Sequence, residues 1–214
     1  MMDFTLSNCK DLDVRKGTYG ITKRFAILLV MMVMITSKAL AGASFEVIDG
    51  FKYILDSDTK TATLLPNTEK YAGDVVIPGS VKAKDGNDYK VTAFGDKCFY
   101  QCSGLTSITI PPSVTSLGKG CFSYCSGLTS ITIPSSVTSL GKYCLSCNNL
   151  ENIYFKGKNP YHISKAEIPT KCIIYVPTEY LQDYKDALGV DYKYIYTWNP
   201  NGSGDDDKPV TPCA

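Results

Sequence analysis

The sequence is short of the residues on which most catalytic and nucleic-acid-binding sites depend. Its 214 residues contain one histidine, His162, and two arginines, Arg15 and Arg24, which both lie within the first 41 positions. Arginine is a principal ligand for phosphate and guanine, and a serine or cysteine nucleophile usually needs a positioned base. From residue 42 onward, 16 lysines and 18 acidic residues give a net charge of −2. We therefore expect no nucleic-acid binding and no enzymatic activity.

Long apolar runs are also missing. The longest, from Phe25 to Ile35, has eleven residues, whereas a helix that crosses a membrane needs about 20. Lys23 and Arg24 precede this run, and Ala39-Leu40-Ala41 follows it with the form of a cleavage site. Residues 1–41 are therefore predicted to be a bacterial signal peptide, with an uncleaved anchor as the alternative. We expect a secreted or cell-surface protein with no transmembrane span once the signal is removed.

Two consecutive segments of 23 residues are nearly identical. Residues 95–117 read GDKCFYQCSGLTSITIPPSVTSL, and residues 118–140 read GKGCFSYCSGLTSITIPSSVTSL. A shortened third copy occupies residues 141–155. This period is typical of leucine-rich repeats. Because one such unit cannot bury its own apolar side, we expect the copies to stack on each other.

Each copy contains the alternation of a β-strand that is buried on one side. In the first copy, Ile108 and Ile110 are predicted to point inward, while Ser107 and Thr109 point outward. Pro111 then ends the strand, since proline cannot donate to a ladder. The inward slots recur as Ile131, Ile133, Ile153 and Phe155.

The segment that follows each repeat glycine carries paired cysteines. In the first two copies the cysteines are four residues apart, which is one face of a single helical turn. We therefore predict a short helix or 3₁₀ turn on the convex side, with its cysteines packed inward. Gly95, Gly118 and Gly141 are expected to adopt a backbone conformation that is costly for other residues. The paired cysteines are Cys98, Cys102, Cys121, Cys125, Cys144 and Cys147.

Cys172 and Cys213 bring the cysteines beyond residue 41 to eight. Three interpretations remain open: buried thiols that fill core slots, one or more disulfides, and a metal site. Recurrence at the repeat period favours buried thiols. We predict no bound metal and no cofactor.

The pattern C-F-x-x-C-S-G-L-T-S-I-T-I-P-x-S-V-T-S-L-G resembles the BspA-type leucine-rich repeat family of bacterial surface and secreted proteins. The resemblance covers roughly residues 71–177. The first cysteine of each pair departs from the family, in which alanine is more frequent at that slot. The resemblance implies a right-handed repeat solenoid with a parallel β-sheet on its concave side, and a protein that binds other macromolecules rather than catalysing a reaction.

The remaining segments are predicted to close and extend this stack. Residues 42–70 have the pattern of an N-terminal β-hairpin cap, with its turn at Asp49-Gly50. Residues 71–177 form the solenoid, and ten extra residues around Lys82–Lys90 suggest a projecting hairpin, which is either a tolerated insertion or a functional loop.

The chain is predicted to end in a helical cap and a tail. Within residues 178–198, Thr178 is the predicted N-cap of a helix from Glu179 to Leu188 that Gly189 ends, and Tyr192 to Trp198 complete the cap. Residues 199–214 are acidic, rich in turn formers and have nothing to bury, so we predict a disordered tail.

The strand positions that alternate away from the core form the candidate binding surface. Tyrosine gives large, stiff contact area and is enriched at interfaces, although serine and threonine are also simply favoured on exposed strands. We expect the partners to be host or neighbouring-cell proteins or extracellular matrix, which would make the protein adhesin-like. The alternative is a structural spacer of a larger envelope assembly that has no ligand of its own. The oligomeric state is left open. The predicted protein-binding positions are Ser107, Thr109, Ser130, Thr132, Asn152, Tyr154, Ile173 and Tyr175.

Overall fold

The structure is a computed structural model that describes residues 43–158, 163, 166–188 and 194–199. The predicted signal peptide of residues 1–41, His162, Gly189 and the predicted tail beyond Asn199, with Cys213, lie outside the described residues. Strands dominate the described part, in which the regular helical elements are a 3₁₀ turn and one α-helix near the C-terminal end.

The described chain begins with three antiparallel strands, β1 (Ala43–Ile48), β2 (Phe51–Asp56) and β3 (Thr61–Leu64). The predicted hairpin turn is confirmed, since Asp49 and Gly50 both adopt positive φ, at 49° and 81°. This is the conformation that two-residue hairpins require. Strand β1 lies at the edge of its sheet, and Phe45 and Val47 on this strand are exposed.

The ten extra residues form a hairpin, as predicted, between β5 (Ser80–Lys82) and β6 (Asp88–Phe94). The hairpin does not simply project from the surface, because β6 pairs in parallel with β3 and with the return strand β8 (Ser116–Leu117). The next return strand, β10 (Ser139–Leu140), pairs with β8 one repeat later. A mixed seven-stranded sheet results, with the order β1-β2-β3-β6-β8-β10 and β5 beside β6.

The predicted inward strands form two further, parallel sheets. Strands β4 (Gly73–Val76) and β7 (Leu105–Thr109) make a pair. Strands β9 (Ser130–Ile133), β11 (Asn152–Phe155), β12 (Ile173–Pro177) and β13 (Ile195–Trp198) make a four-stranded sheet in the order β13-β12-β11-β9. Within the described chain no backbone ladder joins β7 to β9, so the single parallel sheet expected on the concave side is interrupted there.

The side chains in the inward slots share one buried core. Ile131 lies opposite Ile153 in the register of β9 and β11, and Val75 lies opposite Ile108 in that of β4 and β7. All four are buried. Burial of these aliphatic side chains is what makes stacking favourable, at about 25 cal/mol per Å² of apolar surface removed from water.

The expected helical turns after the repeat glycines are not helices. Cys98, Tyr100 and Cys102 donate backbone hydrogen bonds within the turn, to acceptors three residues earlier, whereas the alternating amides of Lys97, Phe99 and Gln101 donate to carbonyls of the following repeat. Lys97 and Gln101 have positive φ, at 57° and 58°, which a right-handed helix does not allow. Half of the turn's donors are thus used to join neighbouring repeats rather than to build a helix.

The repeat glycines are needed because neighbouring repeats approach each other closely at these positions, not because the backbone adopts an unusual conformation. Gly95, Gly118 and Gly141 do not have positive φ, so the expectation of a conformation costly for other residues is wrong. A Cβ on Gly141 would lie 2.4 Å from the backbone nitrogen of Lys119 and 2.5 Å from the carbonyl carbon of Gly118. Only glycine allows two adjacent repeats to approach so closely.

The C-terminal segment differs in part from prediction. A 3₁₀ turn, Thr178–Tyr180, leads into helix α1 (Leu181–Leu188). Thr178 is not the N-cap, since Pro177 occupies that position at the start of the 3₁₀ turn and no side chain makes a capping hydrogen bond there. The predicted apolar face of the helix is confirmed: Tyr184 is buried, and Tyr180, Leu181 and Leu188 pack against the core. Residues Ile195–Trp198, predicted to complete the helical cap, instead form β13, which extends the parallel sheet.

Candidate functional site

The eight predicted binding positions lie on strands β7, β9, β11 and β12, on the side that faces away from the core. Ser107, Thr109 and Ser130 are exposed. Four more positions are partly exposed: Thr132, Asn152, Tyr154 and Ile173. Tyr175 is the exception, with only 7% of its surface accessible.

These positions do not share one continuous sheet. Ser107 and Thr109 belong to the β4–β7 pair, whereas the other six lie in the four-stranded sheet. A shallow groove of about 450 Å³ opens where β7 and β9 are not paired. The groove is lined by Ile108, Thr109, Ile110, Pro112, Thr132, Pro134, Ser135 and Lys156.

At the β7 end of this surface the hydroxyls are already engaged. Ser107 and Thr106 donate to Oδ1 of Asp74, at 2.7 and 2.8 Å. These hydrogen bonds, the one from Ser107 first, lower the pKa of Asp74. The Asp74 carboxylate is exposed and negatively charged at neutral pH, so this end of the surface is polar and anionic.

At the opposite end, three tyrosines occupy one row across three strands. In the parallel register Tyr154 lies opposite Tyr175, and Tyr175 lies opposite Tyr196. The rings of Tyr154 and Tyr175 are stacked, with centroids 4.6 Å apart and planes 7° apart. The rings of Tyr175 and Tyr196 follow at 6.1 Å and 34°. The row therefore has the strand-to-strand spacing of a sheet and forms an aromatic ladder.

Trp198 closes one end of this ladder. Its ring meets that of Tyr154 edge to face, at 5.4 Å and 68°. Its indole Nε1–H donates to the carbonyl oxygen of Phe155 at 3.0 Å. This hydrogen bond holds the tryptophan across strand β12 and fixes its orientation. We call Tyr154, Tyr175, Tyr196 and Trp198 the aromatic row.

The burial of Tyr175 follows from its central place in the aromatic row. Its ring lies between those of Tyr154 and Tyr196, so its two faces are covered by neighbours rather than by solvent. This burial, followed by the charges of the two neighbouring phenols, raises the pKa of Tyr175. Tyr175 is therefore neutral at physiological pH. The row is a stiff aromatic surface on which Tyr154, Tyr196 and Trp198 are partly exposed.

Two members of the aromatic row, Tyr196 and Trp198, were missed by the sequence analysis, which assigned them to the C-terminal cap. A signal was present, because Tyr154, Tyr175 and Tyr196 follow each other at intervals of 21 residues. Ile195 also alternates with Tyr196 in the manner of an inward and an outward strand position. The irregular segments between the strands concealed this period.

The cysteines belong to the core. All seven described cysteines are buried free thiols, which agrees with the prediction that they fill core slots. Cys125 Sγ donates to the Phe99 carbonyl at 2.9 Å, and Cys147 Sγ donates to the Phe122 carbonyl at 2.7 Å. Burial raises the pKa of Cys172 to about 12, which suppresses thiolate formation and therefore reactivity.

No group of three or more potential metal ligands occurs among the residues that the structure describes. Within the same residues, no helix has the length and apolar character needed to cross a membrane.

Comparison with known proteins identifies the repeat. Residues 87–172 match the family model described as "BspA type Leucine rich repeat region (6 copies)". No curated protein matches the chain in sequence. The solved structures to which the chain is similar include three bacterial leucine-rich repeat proteins.

A leucine-rich repeat protein from Bacteroides capillosus ATCC 29799 is 25% identical, with a TM-score of 0.43, and the match covers 53% of this chain and 99% of that one. A leucine rich cell surface protein from Faecalibacterium prausnitzii A2-165 is 23% identical, with a TM-score of 0.46, over 72% of this chain and 42% of that one. A leucine-rich repeat protein from Bacteroides ovatus ATCC 8483 is 20% identical, with a TM-score of 0.36. This chain spans 55% of the length of that last protein.

Proposed function

Because residues 87–172 form a BspA-type leucine-rich repeat region, we propose that the protein is an exported, non-catalytic recognition module that binds other proteins through its parallel sheet. The repeats stack as a solenoid whose concave wall consists of β9, β11, β12 and β13. The aromatic row is the observation that carries this proposal. Export rests on the predicted signal peptide of residues 1–41 and on the family resemblance.

The aromatic row has the properties of a protein-binding anchor. Tyrosine and tryptophan dominate the binding energy of many interfaces because they bury much surface and lose little conformational entropy. Here the entropy cost is further reduced, since stacking and the Trp198 hydrogen bond already hold the rings in place. Aromatic rings also make contact without the cost of desolvating a charged side chain.

The chemistry of the described residues favours binding over catalysis. Buried thiols with raised pKa values are poor nucleophiles. The hydroxyl of the buried Ser123 donates to the backbone carbonyl of Tyr143 at 2.6 Å rather than to a base. We expect the partner to be a host or neighbouring-cell protein or a matrix protein, which corresponds to an adhesin-like role.

A binding assay on the purified protein tests this proposal. Immobilised collagen, fibronectin and laminin are probed with the wild-type protein and with a double variant, Tyr154→Ser with Tyr196→Ser, which removes two phenols and leaves the buried Tyr175. The matched control is Tyr124→Ser, which removes an exposed tyrosine from the turn side. We expect the double variant to lose at least about tenfold in affinity, or about 1.4 kcal/mol, while the control binds like the wild type.

Two results would contradict the proposal. If the double variant binds as tightly as the wild type, the aromatic row is not part of the interface. Absence of binding to every protein tested would favour the alternative, a structural spacer within an envelope assembly. Urea unfolding of both variants, compared with wild type, separates loss of binding from loss of fold.

A further inference from the structure

A second concave feature lies on the turn side of the repeats, away from the parallel sheet. It is a cleft of about 220 Å³ to which three successive repeats contribute. Its size is below the roughly 300–1,000 Å³ of sites for drug-sized molecules, so it suits a ligand no larger than a single ring. The lining residues are Lys97, Tyr100, Lys119, Gly120, Ser123, Tyr124, Tyr143, Ser146 and Glu167.

The walls of this cleft are aromatic. Tyr100 and Tyr124 meet edge to face, with ring centroids 5.6 Å apart. Tyr124 is 54% exposed, which is high for a large aromatic side chain. Tyr143 from the third repeat completes the set. Such rings present faces and edges on which the apolar surface of another ring packs well.

The backbone around the cleft is unusual. Lys97, Tyr124, Tyr143 and Glu167 all have positive φ, between 50° and 63°. This conformation is uncommon for residues other than glycine. It recurs at the repeat period, at Lys97, Gly120 and Tyr143, so it belongs to the turns themselves. Here the left-handed conformation sets the direction in which these four side chains leave the turns.

The cations at the cleft outnumber the anions and lack ion-pair partners. Among the described residues the one ion pair joins Lys158 to Asp183. Lys97 and Lys119 thus have no carboxylate within 4 Å, and the ammonium of Lys97 instead lies 5.4 Å from the centre of the Tyr100 ring. An ammonium held by an aromatic ring remains available to an incoming anion.

Two acidic groups lie near these lysines, and each is already engaged. The Asp96 carboxylate accepts the backbone N–H of Lys119 at 2.7 Å. Glu167 lines the cleft beside Lys142, whose pKa is raised chiefly by a hydrogen bond with Tyr143, with a smaller contribution from Glu167. Three lysines, Lys97, Lys119 and Lys142, thus face two carboxylates, and the surroundings of the cleft keep a net positive charge.

We propose that this cleft binds a single ring that carries a carboxylate, with the ring between the tyrosines and the carboxylate against Lys97 and Lys119. An acidic sugar residue and an aromatic acid share this chemistry. The site is independent of the aromatic row, so each can fail without the other.

Ligand-observed NMR titration of the purified protein tests the proposal with matched pairs of probes. Glucuronate is compared with its uncharged methyl ester, and benzoate with benzamide. We expect at least one carboxylate to bind about tenfold more tightly than its neutral counterpart, which corresponds to about 1.4 kcal/mol, and this preference should weaken as salt is raised. Preference for glucuronate would identify an acidic sugar, and preference for benzoate an aromatic acid.

Variants show whether the binding occurs in the cleft. Lys97→Gln with Lys119→Gln should reduce carboxylate affinity to that of the neutral probe, whereas Lys84→Gln with Lys90→Gln, at exposed lysines of the β5–β6 hairpin, should not change it. Tyr124→Ser should lower the affinity of the protein for both the charged and the neutral probe of a pair. The proposal is overturned if neither carboxylate binds, if neutral and charged probes bind alike, or if both lysine pairs have the same effect.

Discussion

Replacing Gly141 with alanine tests the close stacking of repeats most directly. The added Cβ would lie 2.4 Å from the Lys119 nitrogen and 2.5 Å from the Gly118 carbonyl carbon, where ordinary contacts are about 3.5–4.0 Å. Both neighbours are backbone atoms and cannot rotate away. The third repeat must therefore move about 1 Å from the second, as the difference from an ordinary contact requires.

The size of the effect follows from what this movement disturbs. Overpacking of this kind costs about 1–3 kcal/mol. It also stretches the backbone hydrogen bonds from Gly141 to Leu117, at 2.8 Å, and from Gly120 to Lys142, at 2.9 Å, each worth about 0.5–1.5 kcal/mol. Alanine also lowers the conformational entropy of the unfolded chain relative to glycine, which stabilises the folded state by about 0.4–1 kcal/mol. We expect a net destabilisation of about 2 kcal/mol.

Urea unfolding measures this change, and Gly79→Ala is the matched control. Gly79 does not have positive φ, and a Cβ there would meet its nearest neighbours at ordinary distances, 3.7 Å from Ser113 and 3.9 Å from Pro111. We expect the midpoint of Gly141→Ala to fall by about 1 M, while that of Gly79→Ala is unchanged or higher. Equal midpoints for the two variants would refute the argument that glycine is needed for close approach.

Three further predictions concern the acid stability, the thiols and the core. Hydrogen bonds from Asn87 and then Tyr89 lower the pKa of Asp85 to about 2. The stabilising contribution of this carboxylate is therefore complete above its unfolded pKa of about 3.9 and is lost as the pH falls towards 2. Asp85→Asn should make the urea midpoint of unfolding depend less on pH over that range. The seven described cysteines should resist alkylation in the native state and react on unfolding, as residue-specific mass spectrometry would show; rapid native labelling of any of them would contradict their burial. Tyr184→Phe should lower the free energy of unfolding by about 1–3 kcal/mol, because it removes the hydroxyl that donates to the Gly157 carbonyl at 2.8 Å; an unchanged value would show that the carbonyl finds another donor.

Much of the candidate site could be predicted because outward strand positions are periodic. The alternation around Ile131 and Ile153 placed Thr132 and Tyr154 on the outer face of their strands, as the structure shows. The interruption between β7 and β9 could not be predicted, since these two strands have almost the same sequence as each other and differ only in their neighbours. Pairing depends on the position of the whole backbone, which a strand's own residues do not determine.

The repeat period, the inward aliphatic slots and the N-terminal hairpin were determined by the sequence alone, because each depends on local conformation or on a fixed alternation along the chain. The tertiary structure decided what depends on contact between distant segments. It brought Trp198 onto Tyr154 across an intervening strand, replaced the expected helical turns by bonds between repeats, and required glycine at position 141 for space rather than conformation. These features depend on how closely neighbouring repeats approach each other, and the sequence of a single repeat does not determine that distance.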